Sequence, residues 1–181
     1  MQIKEPIIGN KIILRTLRKE DSEFFTHWYN NPEIMFECGF HEPTTLKAVQ
    51  SRILKPEDDD EDWYAITDMS GRLIGKTGLL RMWPHWHCTD MSMIIPDPQD
   101  QNKGYGIEAG HLMLNRAFQH YNMNRVSVGV VGLNIQSIKY WEKLGFTKEG
   151  IQEQGYFYDG EFSDFIMMRL LRNEYIYIRK V

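Results

Sequence analysis

The run Gln101-Asn102-Lys103-Gly104-Tyr105-Gly106-Ile107-Glu108-Ala109 has residue types and spacing suited to holding an anion. It follows the apolar stretch Met91-Ser92-Met93-Ile94-Ile95, which reads as a strand, and it opens directly into a helix. Two glycines one residue apart let a backbone approach a ligand with no Cβ in the way. The first N–H groups of the following helix lack intrahelical partners. With the positive end of the helix dipole they make a site suited to a phosphate. No Gly-Lys-Ser/Thr follows, so this is not a Walker loop. As a dinucleotide fingerprint it is poor. Ala109 passes for the third glycine, but the surrounding strands form a meander and not a βαβ unit. On these residues alone, an ordinary strand-to-helix turn fits as well.

The elements that must position this loop follow from local pattern. Ile12, Ile13, Leu14, Arg15 and Leu17 read as a first strand. Lys19-Glu20-Asp21-Ser22 starts a helix, with Asp21 or Ser22 as cap. Phe24, Phe25, Trp28 and Tyr29 then recur at helical spacing, and Asn30-Asn31-Pro32 breaks the helix. A second helix is expected over residues 45–54, capped by Thr44 or Thr45, with Pro56 beyond it. Residues 57–62 are an acidic run and read as an exposed loop. Strands follow at 63–67 and 72–80 around a Ser70-Gly71 turn. Residues 81–88 form an aromatic-rich connection, with Trp83, Pro84 and Trp86 at a hairpin tip. The fourth strand covers 89–95 and is ended by Pro96 and Pro98. A helix over 106–121 buries Ile107, Gly110, Leu114, Ala117, Phe118 and Tyr121 on one face. A fifth strand spans 125–131, and a helix over 134–144 is stopped by Gly145 as a left-handed cap. Residues 146–170 read as a long hairpin turning at Asp159-Gly160. The order β-α-α-β-β-β-α-β-α-β-β indicates the α+β class with a mixed sheet. No linker divides residues 1–181, which are expected to form a single domain.

Composition narrows the function classes. A net charge of −4, from 21 basic and 25 acidic side chains, offers no basic excess for a nucleic-acid backbone. Cys38 and Cys88 lie far apart and outside CxxC spacing, which argues against a disulfide framework and for a reducing, cytoplasmic setting. No segment has signal-peptide or membrane-span character. His85, His87 and Cys88 crowd one connection but lack a fourth ligand at motif spacing, so no metal is expected. Met91, Met93, Met167 and Met168 read as core filler.

A second segment, Asn134-Ile135-Gln136-Ser137-Ile138-Lys139-Tyr140-Trp141-Glu142-Lys143-Leu144-Gly145-Phe146, follows the fifth strand. It resembles the N-x-x-S/A…Y-E-K-x-G-F motif of the GNAT superfamily of acyl-CoA-dependent N-acetyltransferases. Gln101-x-x-Gly104-x-Gly106 likewise resembles that superfamily's R/Q-x-x-G-x-G/A loop, and the two occur in the family's order. Ile13-Leu14-Arg15, Glu20-Asp21 and Trp28-Tyr29-Asn30-Asn31-Pro32 are similar to the RimJ/RimL-type branch. The resemblance covers residues 10–170, nearly the whole chain.

The resemblance implies a GNAT-like fold with a mixed, mostly antiparallel twisted sheet in which the fourth and fifth strands splay apart. Acetyl-CoA would lie between them, its pantetheine arm bonded to backbone at Met93, Ile94 and Ile95 as an added strand would be. Its pyrophosphate would meet the loop after Gln101, at the N–H groups of Asn102, Lys103, Gly104, Tyr105, Gly106 and Ile107. The Lys103 side chain adds a charge there or is an ordinary solvated lysine. Asn134, Ser137 and Trp141 would complete the coenzyme site. The implied reaction is direct transfer of acetyl to a primary amine in a ternary complex. The acceptor would be a protein N-terminus, a polyamine, an amino sugar or similar.

An alkyl amine has a pKa of about 10.4, so it arrives protonated and needs a base. Asp90, where the branch often carries Glu, is the expected base, reaching through a water. The fourth strand's backbone near Met93 would supply the oxyanion donor. Many family members carry Tyr where this chain has Trp141, whose indole cannot supply a titratable proton. Ser137 is therefore the expected proton donor to the thiolate. Asn134 would bond the pantetheine or a water while also capping its helix. Trp83 to Trp86 would border the acceptor cleft, and the long hairpin is a candidate homodimer surface. The acidic run reads more readily as a solvated loop than as an attractor for a cationic acceptor. Two rivals stand beside this reading: an acyl-CoA-binding regulatory module without catalysis, favoured by Trp141, and a nucleotide-binding module using the same glycine loop.

Overall fold

The computed structural model describes residues 4–55 and 60–178. Its strands are β1 (Ile7–Ile8), β2 (Ile12–Arg15), β3 (Asp62–Asp68), β4 (Leu73–Trp83), β5 (Cys88–Ile94), β6 (Arg125–Val131), β7 (Thr147–Tyr158) and β8 (Glu161–Leu171). They form one 8-stranded sheet in the order β1-β2-β3-β4-β5-β6-β8-β7. Every neighbouring pair is antiparallel except β5 and β6, which run parallel. The helices are α1 (Asp21–Tyr29), α2 (Pro32–Cys38), α3 (Leu46–Ile53), α4 (Tyr105–Asn115), α5 (Ile135–Lys143) and α6 (Arg172–Ile178). Beyond the expected order, the structure adds β1 at the front, α2 after α1, and α6 at the end.

Strand alternation sends neighbouring residues of β3 to opposite faces. Tyr64 and Ile66 join a core built with α4, α5, β6 and β8, centred on Met113, Leu114, Phe118 and Trp141. Ala65 and the partly buried Trp63 join a second core, with Phe25, Tyr29, Ile34 and Val49 from α1, α2 and α3. The sheet thus separates two apolar layers.

Local signals explain most boundaries. Thr45 caps α3, its hydroxyl accepting from the Ala48 N–H at 3.2 Å. The helix over α5 ends in a Schellman motif. The Gly145 N–H bonds Glu142 O, the Phe146 N–H bonds Trp141 O, and Gly145 takes φ +97°. The β7–β8 turn at Asp159-Gly160 has φ of +48° and +84°, the primed geometry that a two-residue hairpin loop needs.

Four expectations are corrected here. Asp21 and Ser22 do not cap α1; Glu20 holds the cap position without a side-chain bond. Asp21 instead accepts from Arg18 N–H and from the Arg15 guanidinium, which ties β2 to the helix. Asn31-Pro32 ends α1 but also begins α2: Asn31 Oδ1 accepts from the Glu33 and Ile34 N–H groups, and Pro32 fills the first helical position. The long helix over 106–121 is α4 followed by a π-helical turn over Arg116–His120. Within the acidic run, residues 57–59 lie outside the described residues, and Asp62 is not in a solvated loop. Asp62 opens β3, is 1% exposed, and binds Lys4, Arg116 and the Tyr121 hydroxyl. No helix among the described residues is long and apolar enough to cross a membrane.

Candidate active site

β5 and β6 pair only at Cys88–Arg125, Thr89–Val126 and Asp90–Ser127. Beyond that point each strand keeps its outer neighbour. β5 stays with β4 as far as Ile94 opposite Lys76, and β6 stays with β8 as far as Val131 opposite Phe165. The inner edges of Met91–Ile94 and Val128–Val131 therefore face each other without a ladder. Backbone donors and acceptors left this way suit an added extended ligand.

A cavity of about 530 Å³ occupies this split. Met93, Ile94 and Ile95 line it at the open β5 edge. Gln101, Asn102, Gly104, Gly106 and Ile107 line it at the start of α4. The first bond within α4 runs from Glu108 N–H to Gly104 O, so the N–H groups of Tyr105, Gly106 and Ile107 stand at the helix's open end. Asn102 and Gly104 both have left-handed φ, +58° and +85°. Gly104 needs to be glycine for that conformation. Gly106 is glycine for another reason: a Cβ there would sit 3.3 Å from the Tyr140 ring. The loop is anchored from behind. Asp100, 2% exposed, takes a two-pronged pair from Arg72 at 2.7 Å each, which holds its carboxyl well below the usual range. The Gln101 side chain donates to Ile95 O at 3.1 Å.

α5 closes the opposite side. Asn134 and Ser137 line the cavity, and Asn134 Oδ1 also caps the helix by accepting from the Ser137 N–H at 2.9 Å. Gln136, Lys139, Tyr140 and Lys143 continue that face. Tyr140 donates its hydroxyl to Gly106 O at 2.9 Å, and burial pushes its phenol far above the ordinary value. Its proton is thus committed to a helix carbonyl.

Several expected residues fall elsewhere. Trp141 does not line the cavity. It is 5% exposed and packs its ring against Phe146 at 5.1 Å and Tyr140 at 4.8 Å, because one helical step turns it from the cavity to the core. Tyr105 and Lys103 lie beside the loop rather than in its lining, with Lys103 Nζ 3.5 Å from Asp100. Asp90 sits where β5 and β6 are still paired, before the split. A bulge at the end of β4 puts Arg81 at φ +50°, and its guanidinium pairs with the Asp90 carboxylate at 2.6 Å. Asp90 does not line the cavity, and its carboxylate is held by Arg81. Trp83 and Trp86 are exposed, with ring centroids 5.5 Å apart, at the opposite end of β5 from Ile94. They do not border the cleft.

The wall that sequence reading missed is α2. Ile34, Glu37 and Cys38 line the cavity beyond the split. β7 holds the helix in place: the Tyr156 hydroxyl donates to Phe36 O at 2.5 Å, and Tyr156 and Tyr158 pack their rings on Phe36. The signal was Asn31-Pro32, a cap followed by a first-turn proline, which also reads as a start. Glu37 has no hydrogen-bond or ion-pair partner among the described residues. Burial, then the nearby Glu33, raises its carboxyl above the ordinary value. Burial likewise pushes the Cys38 thiol up to about 11, Glu37 adding to the rise and Lys76 opposing it. Among the described residues no group of three or more His, Cys, Asp or Glu is placed to hold a metal.

Comparison with known proteins gives a concordant picture. The family model described as acetyltransferase (GNAT) domain matches residues 11–147. The spermidine N(1)-acetyltransferase of Vibrio cholerae is 24% identical over 172 residues, covering 93% of this chain and 98% of that protein. The Escherichia coli enzyme of the same name is 26% identical over 169 residues, covering 93% and 90%. A solved structure of the Vibrio cholerae spermidine N-acetyltransferase in complex with CoA and spermine superposes with a TM-score of 0.81 at 24% identity, over 93% of this chain and 99% of that one. The GNAT-like sheet expected from the two motifs is the fold observed. These relatives give no support to the RimJ/RimL-type branch expected from the N-terminal segment; they are named for acetylation of a polyamine.

Proposed function

The chain belongs to the acetyltransferase (GNAT) domain family, and on that premise we propose that it moves acetyl from acetyl-CoA to a primary amine by direct transfer in a ternary complex. One observation carries the reading: the cavity is lined both by open backbone groups and by the Glu37 carboxylate, which has no partner among the described residues. Acetyl-CoA supplies a thioester carbonyl for the amine to attack and a thiolate to leave.

The chain's own groups divide the remaining work. The β5 edge from Met93 to Ile95 receives the pantetheine arm, and the N–H groups at the start of α4 receive the pyrophosphate. Lys139 and Lys143, one turn apart on α5, add positive charge on the same side. Glu37 takes the base role in place of Asp90. It attracts the incoming ammonium and removes a proton, and its raised basicity suits the task. A β5 backbone N–H near Met93 steadies the carbonyl oxygen as charge develops. Ser137, whose hydroxyl bonds no described group, donates a hydrogen bond to the departing sulfur and relays to it the proton that the attacking nitrogen sheds as the amide forms. Tyr140 fastens α5 to α4 and so sets the distance between the two coenzyme walls.

The test is amine-dependent release of free thiol from acetyl-CoA across a panel of polyamines, amino acids, amino sugars and short peptides. Spermidine belongs in it because the relatives are named for it. Saturable release with at least one amine is expected. Release no faster than hydrolysis with every amine overturns the reading.

A further inference from the structure

Lys76 lies on β4 opposite Ile94, one of the residues lining the cavity. Its Nζ stands 4.5 Å from the centroid of the Trp63 ring, 5.5 Å from that of Tyr29 and 5.7 Å from that of Phe25. Three rings thus surround a half-buried ammonium. They offset part of its loss of water, but they supply no anion. Among the described residues no oxygen accepts a hydrogen bond from Lys76 and no carboxylate pairs with it.

The ionisable groups facing it come from every element around it. They are the Cys38 thiol of α2, the Arg52 guanidinium of α3 and the Glu61 carboxylate ahead of β3, with Tyr29 of α1 presenting its ring. Arg52 acts on both Lys76 and Tyr29, and it too has no ion-pair partner among the described residues. Glu61 is already used: its carboxylate accepts from the Trp63 indole N–H at 3.2 Å. Two cations therefore converge where, among the described residues, one engaged carboxylate faces them. Burial drives the Lys76 pKa down to about 8, as expected for a cation placed without its counter-ion. Cys38 lines the cavity, and the charges of both Glu37 and Lys76 act on it, with opposite sign.

We propose that Lys76, with Arg52 beside it, holds a carboxylate carried by the acceptor, so that the preferred acceptor is a zwitterionic amine with its ammonium toward Glu37 and its carboxylate toward Lys76. The inference rests on the transferase reading above and narrows it. A polycation would meet an uncompensated positive charge at this wall. An amino acid, free or at the end of a short peptide, brings the missing anion at the right side of the amine.

The experiment uses the full chain saturated with coenzyme A, and Lys76→Met and Lys76→Arg variants. Calorimetric binding of alanine and glutamate is compared with that of alaninamide and spermidine, and the same four are assayed for turnover with acetyl-CoA. Free amino acids are expected to bind better than the amide. Lys76→Met should weaken the amino acids about tenfold or more, the usual effect of losing a charge-assisted hydrogen bond. Lys76→Arg should retain most of the affinity. Alaninamide binding and coenzyme A affinity should not change, which also reports that the variant is folded. A Lys76→Met effect equal for acid and amide overturns the subsite, as does a preference for spermidine over both amino acids. Either result leaves the transferase standing. Absence of turnover with any amine removes the transferase reading, while the binding comparison still decides the subsite.

Discussion

The two walls of the cavity are made of different material. On the side proposed for the coenzyme the open groups are backbone: the unladdered edge of β5 at Met93–Ile94 and the helix-start N–H groups of α4. On the side proposed for the acceptor they are side chains: Glu37 and Cys38 of α2 line the cavity, and the ringed Lys76 of β4 stands behind Ile94 in our proposal. A backbone wall reads any ligand with the right phosphates and amides, so it is constrained by chain path. A side-chain wall is set by a few residue identities and can change while the fold stays. Damage to each should accordingly look different.

Loss of the acceptor-side carboxylate should have the largest effect. Glu37→Gln is expected to lower turnover by about 10²–10⁴-fold, the usual range for general-base catalysis, with coenzyme A affinity unchanged. Single-turnover kinetics alongside calorimetry measure both. The same residue governs the acid limb. Its carboxyl is raised, so the basic form is lost as pH falls through a value above the ordinary carboxylate range, and kcat/KM should fall there. Glu33→Gln should move that limb to lower pH, because Glu33 contributes to the rise. A limb that does not move would separate Glu37 from the rate.

Gly104→Val attacks the other wall. A branched residue at φ +85° costs about 1–3 kcal/mol of backbone strain and distorts the helix start. Coenzyme A affinity in a titration should drop by at least about tenfold, while the Lys76-dependent side of the cavity is untouched. Retained affinity would contradict the loop's role.

Gly110→Ala tests the spacing between α4 and α5 within the coenzyme side. The added Cβ would come within 2.9 Å of the Tyr140 hydroxyl and 2.8 Å of Leu144 Cδ2. Overpacking of this kind costs about 1–3 kcal/mol, so Tm should fall and coenzyme affinity should weaken with it. A stable variant with normal affinity would show that α4 and α5 move apart freely.

Asp90→Asn should have the smallest effect. Its pair with Arg81 is largely exposed on the arginine side, and such pairs contribute about 0–1 kcal/mol. Turnover at neutral pH should stay within about twofold of the original, since the side chain lies before the split. A large loss of turnover with intact coenzyme binding would restore Asp90 as the base.

The coenzyme wall was legible from sequence for the same reason that it is robust. Gly104, Asn134 and Gly145 each answer a local backbone requirement, namely a left-handed φ, a helix cap and a helix stop, so each leaves a mark at a fixed place in the chain. Ser137 and the β5 edge follow once those are set. The acceptor wall left no such mark. Asn31-Pro32 reads equally as an end and as a start, and long-range packing, of Ile34 in the second core and of Tyr156 and Tyr158 on Phe36, fixes where α2 lies. Trp141 and Tyr140 differ by one helical step, and which of them faces the cavity depends on how α5 rotates to bury Trp141 against Phe146.

By itself the sequence determined the α+β class, the strand-to-helix loop and the caps of α3 and α5, all of which rest on local backbone chemistry and short-range periodicity. Tertiary structure alone decided that Asp90 pairs with Arg81, and that among the described residues Glu37 has no partner and Lys76 stands among three rings with no carboxylate paired to it. Those outcomes depend on which side chains from distant segments meet across the sheet. Long-range packing sets that, and no local pattern encodes it.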